Sequence, residues 1–531
     1  MAETTIPAET TSSGLDVSAA YVDATVQAAD YLVALPVLGP LIMGALCLML
    51  RRNQQLQPGL AGLTLAAVFI GNLVLTHRVM TEGPVFMAMG RWFPPFGITF
   101  NADGLGAFLA LAASFVGLVC VIYSARSVDS DGRRYGFYPF LLFLVCGVSG
   151  AFLTGDIFNL YVWFEVLLIS SFGLIILGNS HAQLDGAVKY AFLNLVATTL
   201  FLIAVGYTYG VFGTLNMADL AVQVADTPDA PVVTISLLFL FAFAMKAAAF
   251  PLNFWLPASY HTPNIVTAAL FAGLLTKVGV YALIRIGGML FPESLITFNE
   301  VLVWVAALTT VLGAVGALGS SDIRKLLGFL VLSGIGAMFV GIAVGGPIGL
   351  AGAVLYAVHS IVVMAALYLA AGVIGRMNGS FELSEVGGLY RASPFFAALF
   401  LILVFALSGL PPFSGFWPKV LLVRGALEAG EGWLTFAYLA ASFISMIAIG
   451  RVWLFAFWRS DLPSGPAPVV ALEQGEQAAY VTPIFLLVVI VVGLGVIANP
   501  GLELAGLAAV GILDPIGYVE AVSPVIPQVM P

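Results

Sequence analysis

The stretch VVTISLLFLFAFAMKAAAFPLNFWLPA, residues 232–258, decides the fold class. Its apolar run exceeds the roughly 20 residues that a helix needs to cross a bilayer. One lysine, Lys246, stands inside it, and Pro251 and Pro257 follow. Proline removes a helix hydrogen bond and clashes with the preceding turn, so the run reads as a broken span. In lipid, the backbone groups freed by such a break must find partners in protein or water. A lysine beside a break at membrane depth therefore points to a wet interior.

Working outward, apolar stretches fall at about 31–50, 59–77, 103–124, 137–154, 156–178, 184–212, 232–258, 262–290, 296–318, 324–345, 348–375, 393–427, 432–459 and 478–500. That predicts an all-α polytopic membrane protein of fourteen spans. The tail after Pro500 is only mildly apolar and receives no span; 460–477 reads as a polar loop. Composition agrees. Of 531 residues, 61% are hydrophobic and 9% charged, against about 25% charged in soluble domains. There is too little charge to cover a soluble surface. A soluble enzyme, a nucleic-acid binder and a disordered chain are thereby excluded. Long unbroken apolar runs also argue against a membrane β-barrel, whose strands alternate.

The net charge of −9 does not imply an acidic partner. Much of it lies in a polar arm, residues 1–30, with Glu3, Glu9, Asp16, Asp23 and Asp30. The arm lacks the basic region of a signal peptide. Cys47, Cys120 and Cys146 each stand alone in apolar sequence, as small buried hydrophobes do; their spacing offers no metal or disulfide framework. Lysine and arginine in short loops set orientation. Arg51, Arg52, Arg126, Arg133, Arg134, Arg324, Lys325, Arg376, Arg391 and Arg459 fall in one set of alternate loops. Arg78, Arg91, Arg285 and Arg424 fall in the other. The first set should be cytoplasmic, leaving both termini outside.

A second break resembles the first. FAMKAAAFPLNFWLP (243–257) and FALSGLPPFSGFWPK (405–419) share Phe-Ala and Phe-Trp at one separation, with proline between. In the second, Pro411 and Pro412 break the helix. Paired breaks in two halves of a chain point to a transport path.

Only five lysines occur. Lys246, Lys277 and Lys419 lie inside spans or at their breaks; Glu165 lies well into span five and His359 at the centre of span eleven. An ionised group at the bilayer centre costs roughly 2.5–3.5 kcal/mol on insertion scales. Snorkelling explains a lysine near a span end, a structural pair explains a glutamate, and a satisfied interior imidazole explains a histidine. Together, though, the five form a candidate proton relay, because lysine in a desolvating site and histidine both exchange protons near neutrality. The sequence offers no metal-ligand cluster, P-loop or paired nucleophile, and hence no cofactor and no enzyme chemistry. His261 and Asn264, just after the first break, are candidates to line a proton inlet, although a helix cap is the commoner use of such residues. Asp156 reads as a helix-start acid, while Asp322, Arg324 and Lys325 read as a loop cluster that marks orientation and holds a local ion pair. Asp185 and Lys189 read as an exposed i,i+4 pair.

At these residues a family resemblance becomes specific. The stretches 154–174 (TGDIFNLYVWFEVLLISSFGL), 243–285, 320–338 (SSDIRKLLGFLVLSGIGAM) and 407–419 (LSGLPPFSGFWPK) resemble the antiporter-like subunits shared by Mrp-type multisubunit sodium/proton antiporters and respiratory complex I. The resemblance implies fourteen helices, with spans seven and twelve discontinuous and two inverted five-helix repeats. It divides the chain into helices 1–3 (31–136), a first repeat (137–290), a second repeat (296–459), and a last helix with tail (478–531). It places the family's relay on Glu165, Lys246, Lys277, His359 and Lys419, with Glu165 tuning Lys246. Lys419, where the most similar complex I chain carries glutamate, favours the D-type branch of the Mrp chains. The implied partners are the Mrp subunits A, B, C, E, F and G, protons, sodium and lipid, in a bacterial plasma membrane. The alternatives are a proton-pumping subunit of a complex I-type or energy-converting hydrogenase complex, and an independent permease.

Overall fold

The computed structural model describes residues 30–522, apart from 93, 95, 228, 463, 464, 467 and 468. The acids at 3, 9, 16 and 23 lie outside the described residues. In chain order, the first part comprises α1 (Leu35–Met49), α2 (Gln57–Glu82), β1 (Val85–Ala88), β2 (Thr99–Ala102) and α3 (Gly104–Ser127). Next come α4 (Phe137–Leu153), α5 (Ile157–Ile176), α6 (His181–Phe212), α7 (Val232–Ala247), α8 (Trp255–Ser259) and α9 (Ile265–Leu290). The second half holds α10 (Asn299–Gly319), α11 (Ile323–Val344), α12 (Gly346–Asn378), α13 (Pro394–Ser408), α14 (Phe416–Glu428) and α15 (Gly432–Trp458). It ends with α16 (Gln474–Val496), α17 (Asn499–Leu513) and α18 (Ile516–Val522).

Ten of these helices are long and apolar enough to cross a bilayer, where the sequence reading expected fourteen spans. The four remaining expected positions hold shorter apolar helices, α1, α4, α7 and α13. The tail without an assigned span folds into α17 and α18, bent 79° at their junction. Helices apolar on every side are either buried or turned to lipid, and burial separates the two. The most apolar windows of α9 and α12 are both 94% buried, while that of α15 is 33% buried. α9 and α12 therefore form the interior, and α15 belongs to the rim.

Local chemistry starts the helices. Asp103, Asp156 and Asp322 accept the Gly106, Asn159 and Arg324 amides at 2.9, 2.7 and 2.7 Å. Each side chain meets one of the orphan donors of a first turn. The strands β1 and β2 pair antiparallel, Val85 opposite Ala102, and mark what we call the hairpin face.

The two halves repeat one plan. An isolated bridge joins Asp156 to Asn216, and another joins Asp322 to Glu382, each spanning 60 residues. Five crossings separate the two acids, so the bridges lie on opposite faces. The breaks correspond as well. α7 ends at Ala248 (φ +60°) and α13 at Gly409 (φ +81°), both left-handed. Ala249 and Leu410 amides then return to the Ala244 and Phe405 carbonyls at 2.9 and 3.0 Å. This register differs by one residue from the one suggested by the Phe-Ala and Phe-Trp pairs. It aligns Pro257 with Pro418, Lys246 with Leu407, and Lys419 with Ala258.

Several loop assignments need correction: Arg78 on α2, Arg126 on α3, Arg324 and Lys325 on α11 and Arg376 on α12 stand within helix ends. Arg285 lies inside α9, 1% exposed, in an ion pair with Asp103. Arg424 lies on α14, paired with Glu428 at 2.7 Å. Neither is a loop cation.

Candidate functional site

Lys246 occupies the last turn of α7 and is 5% exposed. It does not snorkel. Its ammonium lies 5.5 Å from the Phe164 ring centre and has no hydrogen-bond partner among the described residues. The turn carrying it is held from several sides. Trp255 Nε1 donates to the Met245 carbonyl at 3.2 Å. The Phe250 amide, inside the break, donates to Thr309 Oγ1 of α10 at 2.9 Å. On α9, Gly279 packs so closely that a Cβ there would stand 2.7 Å from the Ala247 nitrogen.

Glu165 follows Phe164 on α5 and is half-buried. It is within electrostatic reach of Lys246 but forms no ion pair with it. Phe164 occupies the position against the ammonium.

Lys277 is fully buried on α9, and its Nζ donates to the Ala272 carbonyl at 2.5 Å. That acceptor lies in a π-helical turn, Phe271–Leu275, and a second π segment covers Leu283–Leu290. Such bulges leave carbonyls unpaired within the helix and cluster at functional positions.

His359 is 1% exposed on α12. Its Nδ1 bonds Ser414 Oγ at 2.8 Å, and Ser414 lies in the break between α13 and α14. The other nitrogen, Nε2, has no partner among the described residues. The imidazole is within electrostatic reach of both Lys277 and Lys419. Lys419 lies in the first turn of α14 and donates to the Ser408 carbonyl across the break at 2.9 Å. It stands between two spaces. One is an open groove of about 670 Å³, lined with Ser408, Arg424, Glu428 and Ser442. The other is a small cavity of about 10 Å³ that reaches Ser333, Tyr356 and Tyr438.

The five groups stand on α5, α7, α9, α12 and α14, a band in which Glu165 is within electrostatic reach of Lys246, and His359 of Lys277 and Lys419, although no two bond directly. Buried hydroxyls without a partner among the described residues accompany them: Tyr260, Thr267, Thr276 and Ser360. An unmet buried polar group costs about 1–3 kcal/mol, so these atoms mark where the interior is suited to water.

His261 is half-buried, its Nδ1 on the Pro257 carbonyl at 3.0 Å. Burial pushes it below the ordinary histidine range, against the pull of that bond. Asn264 caps α9, accepting the Val266 and Thr267 amides at 2.8 and 3.3 Å. Its oxygen is committed to the backbone, the capping use that the sequence also allowed. Asp185 and Lys189 pair at 2.5 Å as expected, and Asp322 pairs with Arg324 at 2.9 Å.

Ser414, Thr309 and the Asp103–Arg285 pair escaped the sequence reading. Serine and threonine are too common in spans to stand out. Arg285 did carry a signal, since Lys277, Tyr281 and Arg285 recur every four residues on one helix face.

Residues 154–445 match the family model described as NADH:quinone oxidoreductase/Mrp antiporter, TM. The chain is 37% identical to the D-type chain of the Na(+)/H(+) antiporter of Alkalihalophilus pseudofirmus over 497 residues, 92% of this chain and 99% of that one. Its fold superposes on a chain of the Mrp complex from Dietzia sp. with a TM-score of 0.86 and 29% identity, covering 94% of this chain and all of that one. A chain of respiratory complex I from Thermus thermophilus follows with a TM-score of 0.78 and 26% identity, covering 91% and 99%.

Proposed function

This chain belongs to the NADH:quinone oxidoreductase/Mrp antiporter transmembrane family, and we propose that it is the proton-translocating subunit of a multisubunit sodium/proton antiporter. It works as a multi-pass membrane protein within a hetero-oligomer of Mrp-type subunits. The chain divides into helices 31–136, two repeats at 137–290 and 296–459, and a terminal helix with its tail. The hairpin face is extracytoplasmic, which puts both termini outside. A proton enters through a half-channel lined by the broken α7, past His261. Lys246 accepts it, with its affinity set by the charge of Glu165 across Phe164. Lys277 and His359 carry it along the interior band, and Lys419 delivers it towards the open groove or to a neighbouring subunit. The chain transports and does no covalent chemistry.

The observation that carries this reading is Lys246: a buried ammonium without a partner, at the end of a discontinuous helix. Such a group is costly in a membrane protein and is kept for function. The test is sodium-driven proton exchange in everted vesicles bearing Lys246→Ala. Exchange should vanish while the complex still assembles; normal exchange in an assembled complex would overturn the assignment. The likeness to complex I supports a second reading, a subunit of a redox-driven pump. Purification with native partners separates the two, because iron–sulfur subunits would accompany only the second.

A further inference from the structure

The polar face of α9 does not end at Lys277. Tyr281 and Arg285 continue it towards the hairpin face, each about 6 Å further along the axis at 1.5 Å per residue. This stripe looks like a conduit from Lys277 to the outside. Its hydrogen bonds say otherwise. The Tyr281 hydroxyl gives its only proton to the Phe152 carbonyl at 3.1 Å, and a backbone carbonyl passes no proton on. The same oxygen accepts Arg285 Nε at 3.3 Å. Arg285 grips Asp103 with both terminal nitrogens, at 2.7 and 2.6 Å. Asp103 Oδ1 also takes the Gly106 amide. Tyr518 of α18 closes over the guanidinium, its ring centre 5.1 Å away.

The tyrosine proton and the guanidinium groups that face Asp103 are therefore held. A guanidinium does not release one in a protein, and both oxygens of its carboxylate partner are occupied. A buried ion pair is also a poor way to gain stability, since apolar residues of the same volume usually do as well. We propose that Asp103 and Arg285 form an insulating plug: they close the end of the α9 polar stripe, so that protons on Lys277 leave only through His359 and Lys419. Asp103 and Arg285 are positioning residues, not carriers. The inference rests on the reading that Lys277 carries protons.

The test is passive proton leak in proteoliposomes holding the assembled complex, under a potassium diffusion potential, with assembly checked by size exclusion. Arg285→Lys keeps the charge but introduces a group that can release a proton. It should raise the leak roughly tenfold or more, a barrier change of about 1.4 kcal/mol. The double variant Asp103→Leu with Arg285→Met fills the site with apolar atoms and should stay tight. Arg285→Lys with Lys277→Ala should be tight as well. A tight Arg285→Lys complex would overturn the plug, as would a double variant that leaks like the lysine variant. A leak that survives the loss of Lys277 would overturn the conduit between them. Antiport in Lys277→Ala alone reports on the relay reading, independently of the plug.

Discussion

Lys419 donates to the Ser408 carbonyl at 2.9 Å, so a cation on one half of a broken helix caps the other half. The end of a helix carries partial negative charge, and an ammonium there is favourably placed. This gives Lys419 a structural role beside the proton carriage proposed for it, and glutamine separates the two. Lys419→Gln keeps a donor for Ser408 but cannot exchange a proton. Vesicle antiport should fall roughly tenfold or more, within the range that one proton-transfer group supplies, while the complex remains assembled. Undiminished antiport would reduce Lys419 to a cap.

Thr309→Val should loosen the first break. It removes the acceptor of the Phe250 amide and leaves an unmet backbone donor, at a cost of about 1–3 kcal/mol. A lower unfolding temperature in detergent, together with weaker antiport, is expected. An unchanged temperature would show that another acceptor takes over.

Gly279→Ala should press α9 away from the Lys246 turn, because its Cβ would meet the Ala247 nitrogen at 2.7 Å. Overpacking of this kind costs about 1–3 kcal/mol. Gly206→Ala on α6, where nothing lies within 4 Å, is the control and should be neutral or slightly stabilising. Equal behaviour of the two variants would contradict the close approach.

Ser414→Ala takes away the partner of His359 Nδ1. The ring then loses what orients it and selects its tautomer. Antiport should slow several-fold and shift its pH profile, and Ser414→Thr should restore both. A profile identical to that of the native chain would show that the imidazole is oriented by packing alone.

Asp156 predicts a pH-dependent stability. Burial pushes its carboxyl from the ordinary 3.8 up to about 6, against backbone hydrogen bonds that lower it. Below the ordinary value, both folded and unfolded chains hold the proton. Between that value and about 6, the folded chain holds more, so stability falls as pH rises. Above about 6 the loss is complete and constant. Asp156→Asn keeps a capping oxygen and removes this slope. Unfolding temperatures from pH 4 to 7 should therefore fall for the native chain relative to the variant. Parallel curves would refute the shift.

The residues most easily read from sequence were those that break a rule within their own neighbourhood. Lys246 and Lys277 stand out because their flanks are apolar, and insertion cost makes each one conspicuous. The breaks at Pro251 and Pro411 are visible for the same local reason. Arg285 was misread because the loop-charge rule counts cations by position along the chain. Its partner, Asp103, lies 182 residues away, and no local pattern joins the two. The register of the breaks was also out of reach by one residue. Aromatic pairs suggested it, but left-handed caps and backbone bonds set it. Two of the four shorter helices, α7 and α13, show why reading span length from apolar residues alone runs ahead of the structure: such residues continue through a break where the helix does not.

The repeat of the two breaks has a consequence for symmetry. The backbone of this chain was written twice, but its charges were not: the partner position of Lys246 is Leu407, and that of Lys419 is Ala258. Here one terminal amine is sealed in without a bond, and the other is tethered beside an open groove. The halves share a shape yet differ in polarity, as the two leads of a rectifier do.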